Sequence, residues 1–227
     1  MNIPEPLASG DLTAAISLVG AYYAARFDDF PSRADNPPYF SGAFFDDCSP
    51  APAHNNEFTE ADVLALSMLS IRIDRFHTAE VLYYRREQLS ELLAEIGPDR
   101  KLAKEPGPLP DDWPVRKLEQ ALRDIKGVGK VTATKLIARK RPKLFPIFDS
   151  VVKASLAPEA VFLDTVHAEM STNKGLRDKL GDIRSAVVLP STISDLRILD
   201  VVAWMNVKRP KWTSYQAPSG KRGFIVQ

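Results

Sequence analysis

The chain has little of what many small catalytic centres are built from. One cysteine, Cys48, stands alone among 227 residues, which excludes an internal disulfide and any all-cysteine metal or iron–sulfur site. His54, His77 and His167 are the only histidines and have no partners at ligand spacing, so no metal and no cofactor is expected. Strand signals are nearly missing, since "AVVLP" (186–190) and "GFIVQ" (223–227) are too short to organise a sheet. No basic region precedes the amino-terminal apolar stretch, and Asp11 interrupts it. Neither a signal peptide nor a membrane span is read there, and a cytoplasmic location is expected.

A global excess of charge is also missing. The net charge is +1, so no overall basic field advertises a polyanion partner. The charge is unevenly spread all the same. Residues 28–62 carry eight acids against one arginine, whereas 126–143 carry seven bases and no acid, and 201–227 carry five bases and no acid. Such segments can cancel in the sum and still build a one-sided field, or they can be solvated faces and nothing more. With 44% apolar and 26% charged residues, the chain can bury a real core as one domain or two interlocked lobes.

Helical periods fill most of the sequence. Leu12, Ile16, Val19 and Tyr23 recur at helical spacing, with Ser9 or Asp11 as a cap. A long irregular stretch (27–56) holds five prolines, and Phe40, Phe44 and Phe45 are expected to pack it onto the body. Thr59 and Asp62 form a capping-box pattern ahead of Val63, Leu64, Leu66, Met68 and Leu69, a helix apolar on most sides and therefore expected to be buried. "TAEVLYYRREQLSELLAEIG" (78–97) is amphipathic and stops at Gly97-Pro98. Within it, Tyr83, Tyr84, Arg85 and Arg86 read as core packing plus solvated arginines rather than a strand clamp. A proline-rich loop then leads to "VRKLEQALRDI" (115–125). Further helices are expected from Val161 to Met170, Leu176 to Ala186 and Ile193 to Val207, the last capped by Thr192 or Ser194, with Trp204 in the core. The fold class is all-α.

The most informative stretch is "DIKGVGKVTATKLIARKRPKLFPIFD" (124–149). Leu122, Ile125, Gly127, Val128, Gly129, Ala133, Leu136 and Ile137 fit a helix, a Gly-Val-Gly turn and a second helix crossing closely at Ala133. The glycines tolerate positive φ and let another backbone approach, while Val128 and Ile125 plug the turn into the core. Free N–H groups at the start of the second helix then make a phosphate site, reinforced by the helix dipole, with Lys126, Lys130 and Thr132 beside it. If the second helix runs from Lys130 to Lys140, it advances roughly 16 Å. Pro142 and Pro146 keep the following segment extended, and eight such residues reach up to about 26 Å. The chain can thus turn round and return Asp149 to the level of the hairpin, at the N-cap of the next helix.

These residues resemble the helix-hairpin-helix DNA glycosylase superfamily, of the endonuclease III and MutY type. In that family a Gly-Val-Gly hairpin is followed, at the separation seen between Gly127 and Asp149, by an aspartate after an extended segment. "LALSMLSIRI" (64–73) is similar to the buried early helix of that fold. The resemblance implies a two-lobed helical fold, one lobe continuous over 57–143 and the other combining 1–56 with 144–227. Asp149 would lie in the cleft between them. It also implies DNA as partner, with Gly127, Val128, Gly129, Lys126, Lys130 and Thr132 holding a backbone phosphate and Asp149 as the catalytic residue. The chain departs from the family at Val131, where bifunctional members carry a lysine, so Schiff-base lyase chemistry is not expected. It lacks the carboxy-terminal cysteine cluster, has Ala154 where a basic residue is usual, and is shorter ahead of the hairpin.

Three functions follow. The first is a monofunctional glycosylase, in which Asp149 stabilises an oxocarbenium-like transition state. The second is a non-catalytic DNA-binding module in which Asp149 only caps a helix. The third is a fold retained for protein interaction.

Overall fold

The structure, a computed structural model, describes residues 1–23, 40–48, 56–158 and 161–208. Eleven α-helices and no strand occur among the described residues: α1 (Glu5–Ala8), α2 (Thr13–Tyr23), α3 (Glu60–Met68), α4 (Arg75–Ala79), α5 (Arg86–Ile96), α6 (Pro114–Arg123), α7 (Lys130–Lys140), α8 (Ser150–Leu156), α9 (Phe162–Thr172), α10 (Lys174–Val187) and α11 (Asp195–Lys208). The fold is all-α. "AVVLP" is the end of α10 and its exit: Val188 adopts φ 58°, and the N–H groups of Val188 and Leu189 donate to the carbonyls of Ser185 and Arg184. This helix ending normally takes glycine. "GFIVQ", the basic tail and His54 lie outside the described residues, as does most of the 27–56 stretch.

Short polar side chains start the helices. Thr13 N–H donates to Asp11 Oδ1 at 2.8 Å, so Asp11 is the cap of α2. Thr59 and Asp62 complete the capping box of α3. Ser194, and not Thr192, accepts from Arg197 N–H at the start of α11.

The structure departs from two of the expectations for these helices. The α3 helix is only half-buried, with Ala65 and Leu66 inside but Leu64 55% exposed, because it packs on α7 along one side. The amphipathic helix of 78–97 begins earlier, capped by Asp74, and contains a π-helical turn over Glu80–Tyr84 before α5. That turn carries Tyr83 and Tyr84 to the outside, 67% and 79% exposed, instead of into the core. Arg85 and Arg86 are paired with Glu80 and Glu57.

The helices pack in two groups around one large apolar core, with a smaller cluster of Phe45, Ala65, Ala138 and Ile147 beside it. In one, α6 lies against α5 and α7, and α3 against α7; in the other, α11 is surrounded by α2, α8 and α10. Leu118, Leu122, Ala133, Leu136 and Ile137 of the hairpin helices belong to the same core as Val19, Ile198 and Val202. Every residue from Ala133 to Lys140 is buried, which makes α7 the central helix.

The burial of α7 takes four of the seven bases of 126–143 out of any outward field, while Lys126 and Lys143 stay exposed and Lys130 half-buried. Lys135, Arg139, Lys140 and Arg141 are all buried. Asp62 pairs with Lys140 and lies 3.4 Å from Arg139 Nε. Arg141 donates to the carbonyls of Gly97 and Leu93 and to Asn56 Oδ1. Burial lowers the pKa of Lys140, and the Asp62 carboxylate opposes that fall. The long methylene stems let these side chains cross apolar surroundings to reach an acid. An acidic stretch and a basic stretch of the sequence thus neutralise each other partly inside the protein.

Candidate functional site

Ile125 and Val128 are buried and seat the hairpin turn, with Val128 N–H donating to Ile125 O at 2.9 Å. Gly127 sits at φ 92°, and a Cβ there would come within 2.3 Å of His77 Nε2. That nitrogen donates to the Lys126 carbonyl at 2.9 Å, while Nδ1 of the same ring is 2.8 Å from Asp74 Oδ1. The first turn of α4 therefore braces the elbow, a link that no sequence spacing suggests. Gly129 behaves differently. Its φ of −85° and ψ of 174° are extended, and no atom lies within 4 Å of a Cβ placed on it. The positive-φ argument holds for Gly127 and fails for Gly129.

Gly129 is the N-cap of α7 and no side chain caps that helix, so the first-turn N–H groups lack an intrahelical partner. Lys126, Gly127 and Gly129 are exposed, Lys130 and Thr132 half-buried, and Val128 buried. Lys130 leans back, its Nζ 4.8 Å from the centre of the Phe148 ring. Next in sequence to His77, Phe76 is 66% exposed with the Arg75 guanidinium 4.9 Å from its ring, a cation–aromatic contact at the surface.

The segment after α7 is not extended throughout. The N–H groups of Leu144 and Phe145 both donate to Arg141 O, making a turn that reverses the chain. The extended part follows and runs back beside α7, where Phe148 N–H donates to Thr134 Oγ1 at 3.2 Å. Asp149 is thereby returned to the amino-terminal half of α7. It is half-buried and caps α8, its Oδ1 accepting from Val151 N–H at 2.9 Å.

Asp149 opens onto a pocket of about 390 Å³, within the range of small-ligand sites. Its aromatic side is built from Tyr22, Phe40 and Trp204: Tyr22 and Phe40 stack at 5.2 Å, and Trp204 meets both edge-on. Its polar side carries Lys135, Arg197 and Asp200. Arg197 ties this wall together, pairing with Asp200 and Asp46 and donating to Tyr22 Oη at 2.8 Å and Gly42 O at 2.9 Å. Gly42 is fixed by contact, since a Cβ there would lie 2.0 Å from Tyr22 Oη.

Charges in this pocket sense one another. Burial pushes the Asp200 carboxyl up to about 6; Arg197 pulls it down, and the Asp149 charge raises it. Burial lowers Lys135, whose charged form Asp149 and Asp200 favour; its Nζ donates to Leu69 O at 3.2 Å. Burial also pushes the Tyr22 hydroxyl up to about 12.

Asp149 lies where its distance from the glycine turn leads one to expect it, whereas most of the wall around it left no such mark on the sequence. Arg197, Asp200, Val201 and Trp204 stand at helical spacing on one face of α11, a readable signal; Trp204, expected in the core, packs partly buried against it and also lines the pocket. Tyr22 and Phe40 come from distant stretches; Phe40 was expected only to pack its stretch onto the body, which it does, and nothing marked either as part of a site. Among the described residues, no three His, Cys, Asp or Glu side chains are grouped so as to hold a metal ion, and no helix is long and apolar enough to cross a membrane.

Comparison with family models matches residues 15–207 to one described as a family of unknown function, DUF6308. No curated protein and no solved structure matches the chain.

Proposed function

We propose that this chain, which belongs to the DUF6308 family, binds DNA and hydrolyses an N-glycosidic bond in the manner of a monofunctional helix-hairpin-helix DNA glycosylase. One observation carries the reading. Phe148 lies against Lys130 and Thr134 at the start of α7, while the next residue turns its carboxylate to a pocket of about 390 Å³. A phosphate at the elbow and a nucleotide in the pocket would then be served by the two sides of one helix, in a cleft between the two groups of helices.

In this reading the uncapped N–H groups of α7, with Lys126, hold a backbone phosphate. The flanking nucleotide leaves the stack and enters the pocket, against the rings of Tyr22, Phe40 and Trp204. Asp149 Oδ1 keeps its bond to Val151 N–H, and Oδ2 faces the sugar. As the bond to the base breaks, the carboxylate stabilises the cationic sugar and orients the attacking water. Val131 occupies the position where the resemblance calls for a lysine, so the reaction ends at the abasic site.

The bond from Val151 N–H to Asp149 is also what a purely structural cap makes, and it supports the alternative of a non-catalytic DNA-binding module. Duplex oligonucleotides bearing uracil, alkylated or oxidised bases separate the two. The wild type is expected to give alkali-labile strands on at least one lesion, and Asp149→Asn to lose about a hundredfold or more of that rate with unchanged binding. Tight binding without scission on every lesion would leave the module, and no binding at low salt would leave protein interaction.

A further inference from the structure

A second cavity, of about 240 Å³, lies away from the pocket of Asp149. Lys101, Lys143, Arg177 and Arg184 line it together with Asp195, so four cations face one carboxylate. They come from three stretches of chain: the loop after α5, the residues after α7, and α10. Arg177 and Arg184 are seven residues apart and share one face of α10.

The cations of this cavity are less fully matched by acids than those of the other charged clusters. Lys140 and Arg139 have Asp62, and Arg197 has Asp46 and Asp200. Here Asp195 already pairs with Arg184, and Lys101 Nζ stands 3.7 Å from the same carboxylate. Arg177 donates from one amino group to the carbonyls of Met170 and Ser171, which fixes its guanidinium and leaves the other N–H groups for a ligand. The Lys143 ammonium has no ion pair among the described residues. The floor is apolar, made by the buried side chains of Leu102, Met170 and Leu196. A cationic rim over an apolar floor suits an oxyanion carried on a small organic body.

We propose that this cavity binds a phosphomonoester, its phosphate among Lys101, Lys143 and Arg177 and its organic part on the Leu102–Met170–Leu196 floor. The site does not depend on the glycosylase reading. Lys143 follows the carboxy-terminal end of α7, and the hairpin stands at the other end of that helix, roughly 16 Å away.

The test is calorimetric titration of the full chain with phenyl phosphate and with inorganic phosphate at constant ionic strength. Saturable binding in about the millimolar range or tighter is expected, with phenyl phosphate the tighter of the two. Lys143→Ala and Arg177→Gln should each weaken it about tenfold, the loss of one charge-assisted hydrogen bond, while Lys126→Ala leaves it unchanged. Lys143 is exposed, so its variant keeps the test valid should Arg177→Gln fold poorly. Absence of saturation, variants that bind as the wild type does, or equal weakening by Lys126→Ala would overturn the proposal. Displacement of phenyl phosphate by duplex DNA, with Lys143→Ala weakening the duplex as well, would assign the cavity to a nucleic-acid surface and overturn it too.

Discussion

Gly127 and Gly129 stand two residues apart in one turn and meet different demands. At Gly127, positive φ and the His77 ring both oppose a side chain. Gly127→Ala should therefore cost about 1–2 kcal/mol from the backbone alone, with a further loss as His77 is displaced. Gly129→Ala, extended and facing open space, should stay within about 0.5 kcal/mol. Urea denaturation measures both, and equal losses would contradict the assignment. The pocket carboxylates make a second prediction. Asp200 has its folded pKa raised to about 6 from an ordinary 3.8, so between those values the folded state holds a proton that the unfolded state has released. Its contribution to stability is fullest below about pH 4 and is lost as pH rises to about 6. Asp200→Asn should remove that limb. Because the Asp149 charge raises Asp200, Asp149→Asn should move the Asp200 midpoint downward in a carboxyl NMR titration. An unmoved midpoint would mean that the two carboxylates do not share a pocket.

At the scale of elements, the caps and the glycine turn between α6 and α7 were legible because their chemistry is local. Asp11, the Thr59–Asp62 box and Ser194 satisfy backbone groups within three residues of themselves, and Gly127 answers a backbone angle. The facing of α7 was not legible. Lysine and arginine at helical spacing look the same in sequence whether they end in water or at a carboxylate brought from another element. Asp62 is that carboxylate for Arg139 and Lys140, which makes it more than a helix cap. Asp62→Asn keeps a capping side chain yet removes the carboxylate beside two buried cations, and should destabilise the protein by about 3–5 kcal/mol. A loss near 1 kcal/mol, the scale of a cap alone, would show that the buried pair carries little. The π-helical turn was equally hidden, since one extra residue in a helix leaves no mark on composition but turns the residues after it by about 100° around the axis.

Across the whole molecule, the separation of acidic and basic stretches is resolved by folding. Asp46 and Asp62 leave the acidic region to pair with Arg197 and with the cations of α7, so the net charge says little about the local field. Exposed basic side chains remain at the elbow and beside the second cavity. The pocket has the same long-range origin. Its wall draws on α2, the turn at 40–42, the end of α3, α7, the return segment and α11, so the sequence offered in advance only Asp149, through its distance from the glycine turn, and the one face of α11 that carries Arg197 and Asp200. The proposed activity needs one helix to serve a phosphate at its first turn and a sugar at its side. A crystal structure of Asp149→Asn with a duplex carrying an abasic-nucleoside analogue tests this most directly. The expected result is a backbone phosphate at the Gly129 and Lys130 N–H groups, with the extruded sugar beside the substituted amide at position 149. A duplex seated elsewhere, or one held at the elbow with its sugar outside the pocket, would contradict it.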